Sequence, residues 1–179
     1  MIRFICLLRS VNVSGVNLIK MKELKAFFET LGFQNVKTYI QSGNVIFEAK
    51  EKPSPSFLEA KIREKFHTKN VAVLIKTPEA LETVIRQNPF KEQPELNLKK
   101  LYVYFLESTP DKKQAEELAR YTFEDESFRL QKDVIYVYYN SGRGKARLSN
   151  AFFEKKLHIR ATARNWNTTN KLLALAREG

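Results

Sequence analysis

Residues 37–47 read Lys-Thr-Tyr-Ile-Gln-Ser-Gly-Asn-Val-Ile-Phe. Two short runs rich in β-branched and aromatic residues, Val36 to Ile40 and Asn44 to Phe47, flank Gln41-Ser42-Gly43. Runs of that kind fit a pleated, half-buried surface. Gly43 can take the positive φ that a tight connection requires. The stretch therefore predicts a β-hairpin, and the rest of the first half reads as its sheet partners. Ile2 to Leu8 is apolar on both alternating sets, as a central strand buried on both faces should be. Arg9 to Lys20 is a polar loop holding Asn12, Ser14, Gly15 and Asn17. Met21, Leu24, Phe27, Phe28 and Leu31 then recur at helical spacing, and Gly32 stands where a helix C-cap glycine belongs. Beyond the hairpin, Ser54 and Pro55 open a second helix with Leu58, Ile62 and Phe66 inward. Val71 to Ile75 is a fourth strand. Strand, helix, strand, strand, helix, strand is the ferredoxin-like βαββαβ order. It builds a four-stranded antiparallel sheet with both helices on one face.

A further helix starts at Thr77-Pro78-Glu79 and stops near Asn88-Pro89. The polar run Lys91 to Lys99 suggests a boundary, giving domains 1–90 and 91–179. The second half starts like the first: a strand from Leu101 to Leu106, a helix opened by Thr109-Pro110-Asp111, and a hairpin of Phe128 to Leu130 and Val134 to Tyr139. A basic loop, Asn140 to Arg147, leads to a helix capped by Ser149 or Asn150 and ending at Leu157. A short link with Thr162 and Arg164 precedes a last helix capped by Asn167 or Thr168. The expected fold class is α+β, with a ferredoxin-like first half and a βαββα second half in which a helix replaces the fourth strand. The halves have the form of a diverged structural repeat.

The formal charge is +11 with a pI near 9.7. This balance favours polyanions or acidic ligands, although a basic soluble protein without such a ligand has the same composition. Residues 1–50 carry a net +4, residues 51–139 net 0, and residues 140–179 net +7. The excess is confined to the two ends of the chain. Cys6 is the one cysteine, which excludes an intramolecular disulfide and a thiolate metal cluster and fits a reducing compartment. The apolar run between Arg3 and Arg9 is too short for a signal peptide and lacks a small-residue cleavage site. No run approaches the ~20 apolar residues that span a bilayer. The expectation is a cytoplasmic protein without membrane contact.

Three segments resemble one family. They are Leu7-Leu8-Arg9-Ser10-Val11-Asn12-Val13 with Lys20-Met21; Thr38 to Phe47; and Thr162-Ala163-Arg164-Asn165-Trp166-Asn167-Thr168 with Lys171-Leu172. Together they resemble the bacterial family called domain of unknown function 1697. The resemblance implies a two-part α+β fold with a ferredoxin-like first half, and no particular activity. Ser10 and His158 stand where the family usually has glycine, which weakens the case that those two turns need a backbone shape only glycine allows.

Nucleophilic catalysis has little support, because Cys6 falls in a buried strand where thiols are inert. His67 and His158 fall at or near helix ends, where a cation is favoured structurally, and form no metal-ligand spacing. The loop Ser141-Gly142-Arg143-Gly144-Lys145-Ala146-Arg147 resembles a phosphate loop only in composition. A Walker A motif would have glycine at Tyr139 and Ser or Thr at Ala146. Two glycines, three cations and a nearby helix start still suit an anion, with a solvated basic loop as the equal alternative. The hairpin departs from RNA-recognition modules, since Asn44 and Ile46 occupy the stacking positions. Tyr102 with Tyr104, and Tyr136 with Tyr138, each share a face and could form an aromatic platform, though half-buried sheets commonly carry tyrosine. Trp166 reads as a core anchor more readily than as a ligand platform.

The leading expectation is a binding module for an anionic ligand, foremost nucleic acid. Arg9, Lys20, Arg143, Lys145, Arg147 and Arg164 would meet phosphates. Asn12, Gln41, Ser42 and Asn44 would add hydrogen bonds, and Asn165, Trp166 and Lys171 would complete the site. No cofactor is expected, and the sequence leaves the oligomeric state open. The alternative is a small enzyme acting on a phosphorylated or carboxylated metabolite in a cleft between the halves, with Arg9, Lys20 and Lys171 as clamps and Glu23 as base. A third reading is a protein-interaction module using an exposed sheet edge.

Overall fold

The computed structural model describes residues 1–13, 15–93 and 95–178, and all of their side chains except that of Lys145. Ser14 and Pro94 of the sequence reading lie outside the described residues. The chain divides into two compact units. One is Met1–Glu82 with the segment from Lys171 onward, and the other is Thr83–Asn170.

The first unit runs β1 (Ile2–Arg9), α1 (Met21–Thr30), β2 (Gln34–Tyr39), β3 (Asn44–Ala49), α2 (Pro55–Phe66) and β4 (Ala72–Lys76). The sheet order is β2-β3-β1-β4, so β1 is a central strand. It is antiparallel to both neighbours, with Phe4 opposite Phe47 and Cys6 opposite Val45 on one side and Cys6 opposite Ile75 on the other. Phe4, Cys6, Leu8, Val45 and Phe47 pack with Leu24, Phe27 and Phe28 of α1 and with Leu58 and Ile62 of α2. Both helices therefore cover one face. Deleting one of these fully buried Leu or Phe side chains would cost about 2–5 kcal/mol.

The second unit runs β5 (Leu101–Leu106), α4 (Lys112–Ala119), β6 (Glu126–Gln131), β7 (Val134–Tyr139), α5 (Asn150–Leu157) and β8 (Ala161–Asn165). Its sheet order, β6-β7-β5-β8, repeats that of the first unit element for element. The short link expected around Thr162 and Arg164 is thus a fourth strand, paired with β5 from Tyr102↔Asn165 to Leu106↔Ala161. Ala-Thr-Ala-Arg-Asn has too few β-branched or aromatic residues to advertise a strand. The ladder to β5 provides what propensity does not. Asp111 caps α4 in a capping box with Gln114, and the Ser149 hydroxyl accepts from the Phe152 N–H to cap α5.

Two more helices complete the chain, α3 (Pro78–Arg86) and α6 (Trp166–Arg177). The boundary expected after residue 90 differs from the division into compact units in two ways. The units divide at Glu82, inside α3, and the segment from Lys171 groups with the first unit. The reason is local to that unit. The Arg3 guanidinium donates to the carbonyls of Ala176 at 2.9 Å and Glu178 at 2.6 Å, and Arg177 pairs with Glu82 at 2.6 Å. Such pairings between chain ends leave no periodic trace in sequence. The cap of α6 is Asn165, one turn earlier than expected, its Oδ1 accepting from the Thr168 N–H at 2.7 Å.

Candidate functional site

Three connections of the first unit are tied to one another by asparagine side chains. In the β1–α1 connection, Asn12 Nδ2 donates to the carbonyls of Ile19 at 2.9 Å and of Gln41 at 2.8 Å. Its Oδ1 accepts from the Ile19 N–H at 2.8 Å. Asn17 repeats the device, donating to Ser10 O and Lys69 O and accepting from the Lys69 N–H at 2.9 Å. The loop between β1 and α1 is therefore pinned to the hairpin tip by Asn12 and to the α2–β4 turn by Asn17. Each amide replaces backbone partners that an irregular loop cannot supply for itself.

The same three segments concentrate left-handed backbone. Ser10, Asn12, Gly15, Asn17, Ile40, Gly43, His67 and Asn70 all have φ between 48° and 76°. Ile40 is the most costly of these, because a β-branched residue is poorly tolerated there. Strain of this kind persists only where surrounding contacts hold it. At Gly43 the hairpin also passes so close to β1 that a Cβ would sit 2.7 Å from the Cβ of Leu8.

This frame exposes several aliphatic side chains. Val13, Val16 and Leu18 of the loop and Ile40 of the hairpin tip are exposed, Leu18 by 74%. They are four of the nine large hydrophobic side chains exposed among the described residues. Charged side chains stand on the same segments. Lys20 is exposed and 3.5 Å from Glu23. Lys69 is exposed at the turn whose backbone Asn17 holds, and half-buried Arg9 reaches the Ser10 hydroxyl at 3.0 Å.

The residues singled out from sequence divide accordingly. Arg9, Asn12, Lys20, Gln41 and Ser42 belong to this cluster. Asn12 contributes its side chain to the frame, and Gln41 contributes its backbone carbonyl to it. Asn44 is fully buried and donates to Tyr39 O and Ser42 Oγ, both at 2.9 Å. Its amide shapes the hairpin from inside. Glu23, the suggested base, is a surface partner of Lys20. Lys171 is exposed on the α6 segment of the first unit.

In the second unit, Arg143 lies with its guanidinium carbon 4.8 Å from the centroid of the Tyr102 ring. Arg147 is exposed, while its backbone N–H and that of Leu148 donate to the two carboxylate oxygens of Glu126, at 2.6 and 2.7 Å. The Lys145 side chain lies outside the described residues. A cleft of about 850 Å³ is lined by Gly142, Gly144 and Arg147 of this loop and by Glu124, Asp125 and Glu126, so acidic groups share its lining with Arg147. Arg164 is only 6% exposed and donates to Thr162 Oγ1 and Ala163 O. Asn165 caps α6, and Trp166 is buried.

Tyrosine does not form a platform. Tyr104 and Tyr136 are buried. The Tyr139 hydroxyl donates to Leu148 O at 2.8 Å and lies 2.7 Å from the Tyr104 hydroxyl. Burial pushes both phenols above their ordinary range. Burial, reinforced by Asp133, pushes Tyr136 up to about 12, and its hydroxyl donates to Val84 O at 2.8 Å. Tyr104 and Tyr139 belong to the core of the second unit, and Tyr136 ties β7 to Val84 of α3. Among the described residues no cluster of His, Cys, Asp or Glu could hold a metal ion, and no helix is long and apolar enough to cross a membrane.

Val13, Val16, Leu18 and Asn17 fall inside the loop Arg9 to Lys20 but carry no separate role in the sequence reading, which passes over Ile40 and Lys69 as site residues. One signal was available, namely aliphatic residues inside a stretch otherwise polar enough to read as a loop. No curated protein matches the chain. The fold is similar to that of a conserved bacterial protein from Streptococcus pneumoniae, with a TM-score of 0.65, 20% identity, and 98% of this chain and 99% of that one covered. The family model described as protein of unknown function (DUF1697) matches residues 1–136. Its match takes in the β1–α1 loop, the hairpin and the α2–β4 turn described above, and the chain belongs to the DUF1697 family.

Proposed function

We propose that the chain is a binding module for an anionic ligand, and that the ligand is single-stranded nucleic acid held on the pinned corner of the first unit. The observation that carries the reading is the exposure of Val13, Val16, Leu18 and Ile40 on a frame fixed by Asn12 and Asn17. An apolar surface between cations suits a polymer whose bases can leave the stack while its phosphates stay charged. Lys20 and Lys69 meet phosphates, and the net charge of +11 adds long-range attraction. Because the loop is already ordered, binding forfeits little conformational entropy. Arg143 and Arg147 offer a secondary contact, and Arg147 shares its cleft with Glu124, Asp125 and Glu126. The composition of the patch supports contact with any base and gives no ground for sequence preference.

The test is fluorescence anisotropy of labelled oligothymidylate with the intact protein across a salt series. Affinity should fall with salt at a log–log slope of about −0.7 per phosphate neutralised. Lys20→Ala with Lys69→Ala should flatten the slope by about 1.4. Salt-independent binding, or a slope unchanged in the double variant, overturns the assignment of this corner.

A further inference from the structure

Each sheet of four strands has two open edges, and proteins protect such edges against unwanted pairing. Three of the four edges here carry a visible device. In β2 the register shifts between Gln34 and Lys37 around a left-handed Asn35, which breaks the row of hydrogen-bonding groups. On β4, Glu59 from α2 reaches around the edge, and its carboxylate accepts from the Val73 N–H at 2.9 Å. On β8, Glu154 from α5 does the same for the Ala161 N–H at 2.8 Å. The two carboxylates occupy equivalent places in the two units.

β6 is different. It pairs with β7 without a shift over all six residues, Glu126↔Tyr139 to Gln131↔Val134. The Asn140 N–H donates across to Asp125 O. With antiparallel alternation, that bond turns the N–H and C=O groups of Phe128 and Leu130 away from β7. No side chain of the described residues accepts from either N–H. Beside this edge runs a groove of about 470 Å³ against α4, lined by Ala115, Leu118, Phe123, Phe128 and Leu130 among others. Its two charged residues differ in kind. Glu126 is buried and already accepts from two backbone N–H groups. Arg129 is exposed, its guanidinium resting on the outward Phe128 carbonyl at 2.8 Å.

We infer that β6 is a docking edge for an extended peptide segment of a partner protein, one that alternates apolar side chains and carries a carboxylate. The segment adds as a fifth strand through the Phe128 and Leu130 backbone groups. Its apolar side chains enter the groove. Its carboxylate takes Arg129 from the Phe128 carbonyl, exchanging a neutral acceptor for a charged one. Arg129 also lies 5.9 Å from the Phe90 ring centroid and has no carboxylate partner among the described residues, so it favours acidic segments over basic ones, including further copies of this basic chain.

A phage-displayed library of random dodecapeptides, panned on the intact protein, tests this. Enriched sequences should alternate apolar residues and contain Asp or Glu. A synthetic copy of the commonest sequence should shift the amide resonances of Ser127 to Gln131. Arg129→Glu, a surface change that leaves the ladder intact, should weaken that peptide about tenfold or more while oligothymidylate binding stays unchanged. Leu130→Pro, which removes one outward N–H, should abolish peptide binding if its circular dichroism spectrum matches the parent. No enrichment, enrichment of basic sequences, or shifts confined to residues outside β6 and α4 would overturn the inference.

Discussion

The Gly43 carbonyl accepts from the Leu8 N–H at 2.8 Å, and that approach leaves no room for a side chain, since a Cβ on Gly43 would lie 2.7 Å from the Cβ of Leu8. Gly43 also has φ +73°. Two separate demands, backbone handedness and space, fall on one residue of the hairpin tip. The tip in turn supplies the carbonyl of Gln41 to Asn12, so the shape of the candidate site depends on this contact.

Gly43→Ala should therefore destabilise the protein by about 2 kcal/mol or more, since a left-handed alanine costs about 1–2 kcal/mol and the overlap with Leu8 adds to it. Urea denaturation measures this. The contrasting variant is Gly15→Ala, where an added Cβ meets nothing within 4 Å and only the handedness penalty applies.

Ser10 and His158, where the family resemblance leads one to expect glycine, adopt left-handed backbone, with φ of 61° and 54°. The turns keep the shape glycine favours and bear its cost with other residues. Ser10→Gly and His158→Gly should each stabilise the protein by about 0.5–1 kcal/mol. His158 is the exposed C-cap of α5, so its substitution is the cleaner test by thermal melting. An unchanged or lowered Tm for His158→Gly would mean that the imidazole contributes more than its backbone conformation costs.

The first unit was largely legible because its signals are local. The continuous apolar run of β1, the helical stripe of Leu24, Phe27 and Phe28, and the glycine of the hairpin each act within a few residues. The misread parts depend on partners far along the chain. β8 is a strand because β5 lies beside it, and the segment from Lys171 joins the first unit because Arg3 captures its last carbonyls. The site was half legible for the same reason. Arg9, Asn12, Lys20 and Gln41 stand out by type and lie on connections that the structure ties together, but type alone could not separate the exposed Lys20 from the buried Arg164. Part of the excess charge at the chain ends is already paired, since Arg3, Arg160 and Arg177 meet Glu48, Glu107 and Glu82.

Stability should fall at alkaline pH in a way traceable to Tyr136. Unfolded tyrosine ionises near 10, whereas Tyr136 in the folded protein holds its proton up to about 12. The folded state then binds more protons between those values, so stability is full below pH 10 and declines as pH rises toward 12. Tyr136→Phe should reduce this alkaline slope while lowering stability at neutral pH, since Val84 O loses its donor. Denaturant midpoints at several pH values read both effects.

At acidic pH the sign reverses. Glu48 has its carboxyl held below the ordinary range by the hydrogen bond from Arg3, then by that from Asn35. Its contribution is complete above the ordinary carboxylate range and disappears as pH falls through the lowered folded value. Glu48→Gln should leave the protein less stable at pH 7 and remove part of its acid dependence. Because Arg3 also holds the carbonyls of Ala176 and Glu178, amides of that segment should exchange faster with deuterium in the variant.

Asn12→Ala and Asn17→Ala should each cost about 1–3 kcal/mol, because backbone groups lose their partners at half-buried positions. They should also release the frame under the apolar patch. Either variant should weaken oligonucleotide binding without removing a single cation, so affinity should fall at every salt concentration while the log–log salt slope stays that of the parent.

The most direct measurement is a titration of isotope-labelled protein with oligothymidylate, followed by amide resonances. The account predicts shifts concentrated in residues 11–20, 40–43 and 67–70, and their loss in a Leu18→Asp, Ile40→Asp double variant that keeps its fold. Shifts centred elsewhere, or none at low salt, would contradict the claim that this corner of the first unit is the binding site.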